Sequence, residues 1–297
     1  MLKRILVGAI LIALVGGLGW LDWHLEQAGW PQIAVGPGER TAPLRALPLA
    51  CLMLLLIAAG YLEYARMAAA VGIAVPKLVG TLGAMMVGTW PFWRQMTDTG
   101  GTELLAVMAV IVMGVFAAQV AGYRAADAIR RIGATLGGIC YLGICSAVVL
   151  EMRMLYGVGA LVLFLVSVKF ADIGAYFTGT AIGRHKIAPS LSPGKSWEGL
   201  VGGLALAAGA AVVFVAAIEP LFGPHDSGGI SLAAAAVFAV VVGLFGQAAD
   251  MCESALKRDA GTKDAGQAVP GFGGVLDVID SPLLAAPVAL VLLAWLR

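Results

Sequence analysis

The chain has 297 residues, of which 60% are hydrophobic and only 12% are charged, and its formal net charge is +1. Soluble globular domains carry about 25% charged residues, so this composition predicts a membrane protein. A net charge so close to zero argues against nucleic-acid binding, and the four cysteines show neither paired metal spacing nor a disulfide framework.

Nine apolar segments are candidates for membrane-spanning helices, which need about 20 mostly apolar residues. They cover residues 4–20, 46–62, 77–93, 103–123, 132–150, 155–177, 200–218, 230–249 and 282–296. We therefore predict an all-α polytopic membrane protein with about nine transmembrane helices. The first segment follows Lys3 and Arg4 as a signal peptide would, but no small-residue cleavage site follows it, so we interpret it as a retained span.

Basic residues indicate the orientation of these spans. With the N-terminus in the cytoplasm, inside segments hold thirteen Lys or Arg, outside segments hold five, and Lys169 lies within the sixth span. This split agrees with the positive-inside rule, and the predicted outside loop IEPLFGPHDSGG has no Lys or Arg. We divide the chain into an N-terminal membrane region, residues 1–131, with about four spans, and a C-terminal region, residues 132–297. The second region carries the two long polar cytoplasmic loops, 178–199 and 250–281.

The second of these loops gathers eight charged residues in ESALKRDAGTKDAGQAVPGFGGVLDVIDS. Asp250, Ser254 and Lys257 have the spacing i, i+4, i+7, which places them on one helix face. Asp277 and Asp280 have the spacing i, i+3 and would share a face as well. The PGFGG turn between the two groups allows a ligand to approach the backbone closely.

Carboxylates with few histidines suit a hard cation such as Mg²⁺, and nearby Lys and Arg suit phosphate oxygens. We therefore predict a metal–polyphosphate site whose metal ligands are Asp250, Asp277 and Asp280. The alternative is a solvated loop whose basic residues only enforce topology. The site is favoured because Asp250 and Asp280 lie at the edges of apolar spans, where a carboxylate without a partner is costly.

The first polar loop contains SLSPGKSWEG, which combines Ser192, Lys195 and Glu198 around a Pro–Gly turn. Such a turn can direct backbone N–H groups and a lysine toward an anion, although its glycine spacing is not that of a Walker motif. Asp172 lies one turn after Lys169, near the end of the sixth span. It is interpreted either as a substrate-binding residue or as half of a local Lys–Asp pair.

Other polar residues are interpreted as structural. We expect His185 to be a membrane-interface residue and Glu63 to pair with Arg66. Asp127 is expected to pair with a neighbouring arginine: Arg124, Arg130 or Arg131.

Together these motifs resemble the phosphatidate cytidylyltransferases, also called CDP-diacylglycerol synthases. The matching pattern is S-x-x-K-R-x-x-x-x-K-D followed by P-G-x-G-G-x-x-D-x-x-D, formed here by Ser254, Lys257, Arg258, Lys263, Asp264, Pro270, Gly271, Gly273, Gly274, Asp277 and Asp280. DIGAYFTG and SPGKSWEG also look like stretches of this family, so the resemblance covers residues 169–281.

The resemblance implies an enzyme that joins CTP and phosphatidic acid, releases pyrophosphate, and needs Mg²⁺ or another divalent cation. It would lie in a bacterial inner membrane with its active site facing the cytoplasm, and the Gly-rich spans are compatible with a homodimer. The catalytic residues implied are Lys195, Lys257, Lys263 and Asp277. The substrate-binding residues implied are Asp172, Ser192, Glu198, Ser254, Arg258 and Asp264.

Four residues depart from the family pattern. Phe272 stands where the family usually has His, Val278 where it has Arg, Gly194 where it has Lys, and Ser196 where it has Thr. These changes predict altered affinity, a different lipid phosphate acceptor or weakened activity. The alternative from another class is an ion-coupled transporter that uses Asp172, Asp250 and Lys169. Transporters of that kind often have internal repeats and midplane polar sites, whereas here no repeat is visible and the polar residues cluster at span ends.

Overall fold

A computed structural model describes residues 2–35, 40–97, 102–122, 127–218, 220 and 230–296 of the chain. Arg124, considered above as a partner of Asp127, and most of the predicted outside loop IEPLFGPHDSGG lie outside these residues. The described residues fall into two compact units, each formed from two stretches of chain. The first unit comprises Met1–Met154 and Ala260–Val278, and the second comprises Leu155–Asp259 and Ile279–Arg297.

The first unit is built mainly from apolar helices. In chain order its elements are α1 (Leu2–Gln27), β1 (Gln32–Val35), β2 (Arg40–Pro43), α2 (Leu47–Ala70), α3 (Lys77–Gly88), α4 (Trp90–Trp93), α5 (Thr102–Gly122) and α6 (Ala128–Ile139). Strands β1 and β2 pair as an antiparallel hairpin with Gln32 opposite Pro43. One core cluster of this unit contains Leu44, Phe92 and Leu150. The segment between β2 and α2 therefore packs with α4 and with the long helix that follows α6.

That next helix, α7 (Cys145–Ile182), follows α6 through a π-helical turn, Cys140–Ile144, and breaks at Gly157. Gly157 has φ 82° and ψ 179°, a conformation that residues with a Cβ rarely adopt. The helical stretch from residue 128 to 182 has 55 residues. That would be about 80 Å as one straight helix, far more than the roughly 30 Å of bilayer hydrocarbon. The break therefore agrees with the two separate spans predicted at 132–150 and 155–177.

The second unit holds the rest of α7, a short hairpin and three further helices. Its remaining elements are β3 (Lys186–Ala188), β4 (Ser192–Ser196), α8 (Trp197–Val213), α9 (Leu232–Asp259) and most of α10 (Leu276–Leu296). Helices α7 and α8 approach closely through glycines. A Cβ atom added at Gly203 would lie 2.5 Å from the carbonyl oxygen of Ala171. Small residues therefore bring these two helices together.

The architecture confirms an all-α polytopic membrane protein. Within the described part of the chain, six helical stretches are long and apolar enough to cross a membrane, and a shorter apolar helix covers Lys77–Gly88. One of the six is the stretch that breaks at Gly157. The count of nine spans and the division at residue 131 stay predictions.

Candidate functional site

The β3–β4 hairpin places Lys195 against helix α9. The Lys195 ammonium donates to the Gln247 carbonyl oxygen at 2.8 Å and lies 2.8 Å from an Asp250 carboxylate oxygen. Its side chain is only 14% exposed, whereas that of Asp250 is 35% exposed. Lys195 and Asp250, which were predicted separately as site residues, therefore form one local arrangement, in which Asp250 is the more exposed partner.

Helix α7 joins this arrangement through Gln247, a buried residue of α9. The Gln247 side-chain amide donates to Asp172 Oδ1 at 2.7 Å, while Lys169 lies 3.6 Å from Asp172 Oδ2. The local Lys169–Asp172 pair considered from the sequence is thus present. Gln247 connects it to Lys195, because its side chain contacts Asp172 and its backbone carbonyl receives the lysine.

Three carboxylates converge beside Lys195. One oxygen atom from each of Asp250, Glu253 and Asp280 lies within 4.8 Å of the other two, and we call this group the carboxylate cluster. Glu253 is 1% exposed and Asp280 is 4% exposed, so two of the three acids are removed from water. Bringing carboxylates together in a buried place is unfavourable unless a positive charge compensates them.

The positive charges next to the cluster are two lysines. Lys257 forms an ion pair with Glu253 one helical turn away on α9, and Lys195 pairs with Asp250. Two of the three carboxylates are thus paired with ammonium groups in the described part of the chain, and Lys169 of α7 also acts on the charge of Asp280. The number, chemistry and spacing of the oxygen atoms fit a hard divalent cation, which prefers carboxylate ligands.

The remaining predicted residues of the second unit lie on α9, on the β3–β4 hairpin and at the start of α8. Ser254 is half-buried on α9. Arg258 is exposed, and its Nε donates to the Leu191 carbonyl oxygen at 3.5 Å, next to Ser192 on the hairpin. Glu198 holds the other end of the hairpin, since its carboxylate lies 2.5 Å from His185 Nδ1. His185 is thus a partner of a predicted site residue, while its place at the membrane interface stays a prediction.

In the first unit, Asp277 is tied to backbone donors. Its Oδ2 atom accepts from Ala265 N at 2.8 Å and from Gly274 N at 2.7 Å. We call residues 260–275 the glycine loop, and Asp277, in the first turn of α10, closes it. A Cβ atom at Gly273 would lie 3.1 Å from Asp264 Cβ, so Asp264 belongs to the same loop packing. Lys263 is exposed on this loop.

The buried carboxylate of Glu63, on α2, holds the end of the same loop by hydrogen bonds. The side chain is 1% exposed, and its two oxygens accept from Val275 N at 3.1 Å and Leu276 N at 2.8 Å. These N–H groups start α10, where backbone donors lack helical partners and a negative charge is favourable. A Cβ atom at Gly266 or Gly274 would collide with this carboxylate. Gly266 and Gly274 therefore allow the Glu63 carboxylate to lie directly against the loop backbone.

The expected pairing of Glu63 with Arg66 exists only as a 4.0 Å contact, so the backbone donors are its principal partners. Asp127 pairs with Arg130 at 3.6 Å, as one of the expected pairings. Phe272, in place of the family's usual His, is 41% exposed, and a Cβ at Gly8 of α1 would lie 3.5 Å from its ring.

Three residues important to these arrangements were not predicted as site residues: Glu63, Gln247 and Glu253. Glu253 had a usable signal, since it lies three residues after Asp250 on a predicted helix face. Glu63 and Gln247 gave no local signal, because their partners are 213 and 75 positions away in the chain.

The fold and site define a polytopic α-helical membrane protein with a buried carboxylate cluster and two lysines at the ends of its spans. Residues 41–296 match the family described as the Cytidylyltransferase family. The chain belongs to this family, and the resemblance drawn from the motifs is confirmed. The family transfers cytidylyl groups, so the protein is a membrane-bound, CTP-dependent nucleotidyltransferase.

Curated relatives agree with this assignment. The phosphatidate cytidylyltransferase of Bacillus subtilis is 32% identical over 253 residues, which cover 84% of this chain and 89% of that protein. The enzyme of the same name from Haemophilus influenzae is 44% identical over 134 residues, 44% of each chain. The one from Pseudomonas aeruginosa is 39% identical over 172 residues, 55% of this chain and 57% of that protein. The matched regions thus span about half the length of these last two relatives.

Proposed function

We propose that the protein is a phosphatidate cytidylyltransferase, which joins CTP and phosphatidic acid to give CDP-diacylglycerol and pyrophosphate. The observation that carries the proposal is the carboxylate cluster of Asp250, Glu253 and Asp280, with Lys195 and Lys257 paired to two of its members. Triphosphate chemistry uses acids that hold a divalent cation beside bases that bind phosphate oxygens, and this combination favours the nucleotidyltransferase over the transporter alternative.

The site residues act by holding charge in place. Asp250, Glu253 and Asp280 would hold a divalent cation such as Mg²⁺, which when bound neutralises phosphate oxygens. This set replaces part of the prediction made from spacing alone, because it includes Glu253. Asp277 remains a candidate ligand through its second carboxylate oxygen.

Lys195 and Lys257 are the positive groups placed to bind phosphate oxygens of the nucleotide. Each is held by an acidic partner, so neither has to be ordered when the substrate arrives, and this favours catalysis by preorganisation. The acceptor is the phosphate oxygen of the lipid, which is already an anion near neutral pH. It attacks the α-phosphorus of CTP, and the bond to pyrophosphate breaks. No strong general base is required, which agrees with a glycine loop that carries Phe272 in place of His.

The rest of the proposal concerns location. The split of Lys and Arg, thirteen in the predicted inside segments against five in the outside ones, supports a cytoplasmic site, and the bacterial relatives support an inner membrane. A homodimer and the roles of Lys263, Asp264, Ser192 and Ser254 in substrate binding stay predictions.

The test is a pyrophosphate-release assay on the purified protein with CTP. We expect release only when phosphatidic acid and Mg²⁺ are both present, with an equal amount of CDP-diacylglycerol formed. Release with another lipid phosphate, but not with phosphatidic acid, would show that the acceptor is a different lipid and would overturn the assignment of phosphatidic acid. Absence of release with every lipid phosphate would overturn the proposed function.

A further inference from the structure

A groove of about 1130 Å³ lies in the second unit, where α7 ends and α8 begins. It is lined by apolar side chains of the two helices, including Ile182, Trp197 and Val201, and by the basic residues Arg184 and Lys186. Ile182 ends one membrane-spanning stretch and Trp197 begins another. Since both helices have the length and composition of membrane spans, we place the groove at the boundary between bilayer and water, where tryptophan side chains are also enriched.

Charge distinguishes this groove from an ordinary lipid-facing surface. Arg184 and Lys186 are exposed, and in the described part of the chain neither forms an ion pair with an acidic side chain. The acid in the groove, Glu198, is already engaged: it accepts from the backbone N–H of Arg184 at 3.2 Å and contacts His185 Nδ1. The groove is thus lined by two exposed cationic side chains together with apolar ones.

The β3–β4 hairpin connects the groove to the carboxylate cluster. Lys186 of β3 lies opposite Ser196 of β4, and Trp197 N donates to the His185 carbonyl oxygen at 2.9 Å. Lys195 and Ser196 are consecutive strand residues, so their side chains point to opposite faces of the hairpin. Lys195 reaches Asp250, whereas Ser196 accepts from Gly199 N and starts α8. One short hairpin therefore belongs to both the groove and the catalytic site.

We propose that this groove recruits the lipid substrate, phosphatidic acid. Its phosphomonoester would lie between Arg184 and Lys186, and its acyl chains would follow Ile182, Trp197 and Val201. A phosphomonoester carries more negative charge than the phosphodiester of other phospholipids. It therefore matches two cationic side chains better than a phosphodiester does. This inference rests on the proposed function for the identity of the lipid, and the groove itself is argued from its lining and charges.

A kinetic experiment tests the role of the two cations. Replacing both, Arg184→Ala with Lys186→Ala, should raise the KM for phosphatidic acid in mixed micelles by on the order of tenfold or more. The KM for CTP should stay within about twofold of the wild-type value, because the cations act on the lipid. The matched control is Arg130→Ala, which removes an exposed arginine of α6 that pairs with Asp127. A higher KM for CTP with an unchanged KM for phosphatidic acid would overturn the proposal.

A binding experiment separates failure of the groove from failure of the proposed function. Trp197 lines the groove, so phosphatidic acid brominated on its acyl chains should quench its fluorescence more than equally brominated phosphatidylcholine does. The chain has seven tryptophans, and the Trp197→Phe variant supplies the signal of the others. The excess quenching should disappear in that variant and fall in the doubly substituted one. Equal quenching by both lipids would show a nonspecific lipid surface, even in an active enzyme. Selective quenching without CDP-diacylglycerol formation would leave the groove intact and refute the enzymatic assignment.

Discussion

Two regions of the molecule use buried carboxylates in opposite ways. Beside the glycine loop, Glu63 of α2 and Asp277 of α10 together accept four hydrogen bonds from backbone N–H groups at 2.7–3.1 Å. In the carboxylate cluster, Asp250, Glu253 and Asp280 lie within 4.8 Å of one another, and their ammonium partners number fewer than the acids.

This difference indicates what each group of acids does. A carboxylate saturated by backbone donors fixes the course of the chain, since those donors would otherwise lack partners. Carboxylates that crowd one another raise the free energy of the folded protein, and the cation proposed to bind them would offset that cost. The following predictions test that distinction.

The largest expected effect is that of Asp250→Asn. Removing a negative charge that faces both the cation position and Lys195 should lower kcat by on the order of 100-fold or more. The folded yield should change little, because Asp250 is partly exposed. Formation of labelled CDP-diacylglycerol from CTP measures the loss, with Asp259→Asn, at the exposed end of the same helix, as control. Equal losses in both variants would remove the special role of Asp250.

Asp277→Asn is the second variant, and it separates the two uses of a carboxylate in one residue. An amide oxygen can still accept from Ala265 N and Gly274 N, so thermal stability should stay close to that of the wild type. Activity should nevertheless fall by roughly 10- to 100-fold, even at saturating CTP, if the other oxygen contributes negative charge to the site. Asp277→Ala should lose both activity and stability. An active Asp277→Asn with an unstable Asp277→Ala would make Asp277 a loop anchor only, like Glu63.

Glu253→Gln should show a smaller loss with a distinctive dependence on metal. The Mg²⁺ concentration needed for half-maximal activity should rise by on the order of tenfold, because one charged ligand is replaced by a neutral one. A titration of activity with Mg²⁺ measures this change. Glu151→Gln is the control, since Glu151 pairs with Arg94 at 2.9 Å in the other unit. An unchanged Mg²⁺ requirement would exclude Glu253 from the cation site.

The smallest effect is expected for Glu63→Gln. The amide keeps one acceptor oxygen and presents an N–H₂ group to the other backbone donor, which should cost about 1–3 kcal/mol of unfolding free energy. We expect a lower thermal midpoint and a several-fold lower kcat, with the Mg²⁺ requirement unchanged. Arg66→Ala, which removes the 4.0 Å contact and an exposed hydrogen bond to the Leu62 carbonyl oxygen, should behave as wild type. A shifted Mg²⁺ requirement in Glu63→Gln would erase the difference between the two regions.

The helical membrane architecture could be predicted from the sequence because apolar length is a local property. The break at Gly157 agrees with the separation of the predicted fifth and sixth spans. The candidate site was partly predictable for the same reason: Asp250, Ser254 and Lys257 share a helix face by spacing alone, and Lys195 was singled out by its Pro–Gly turn.

What the sequence did not provide were partners set by the tertiary fold. Glu63 was paired with its neighbour Arg66, since the loop that it anchors lies more than two hundred positions later. Glu253 was counted only among the eight charged residues of the second polar loop, because spacing cannot show that it meets Asp280 from another helix. Gln247 is an uncharged residue in an apolar run, and only the packing of α7 against α9 gives it a role.

The most direct test of the account is the position of a divalent cation in crystals soaked with Mn²⁺, located by its anomalous scattering. We predict one peak at coordination distance, roughly 2.0–2.2 Å for such a small cation, from oxygens of at least two of Asp250, Glu253 and Asp280. An ion bound elsewhere, with these three carboxylates making no contact to it, would contradict the assignment of the carboxylate cluster as the metal centre.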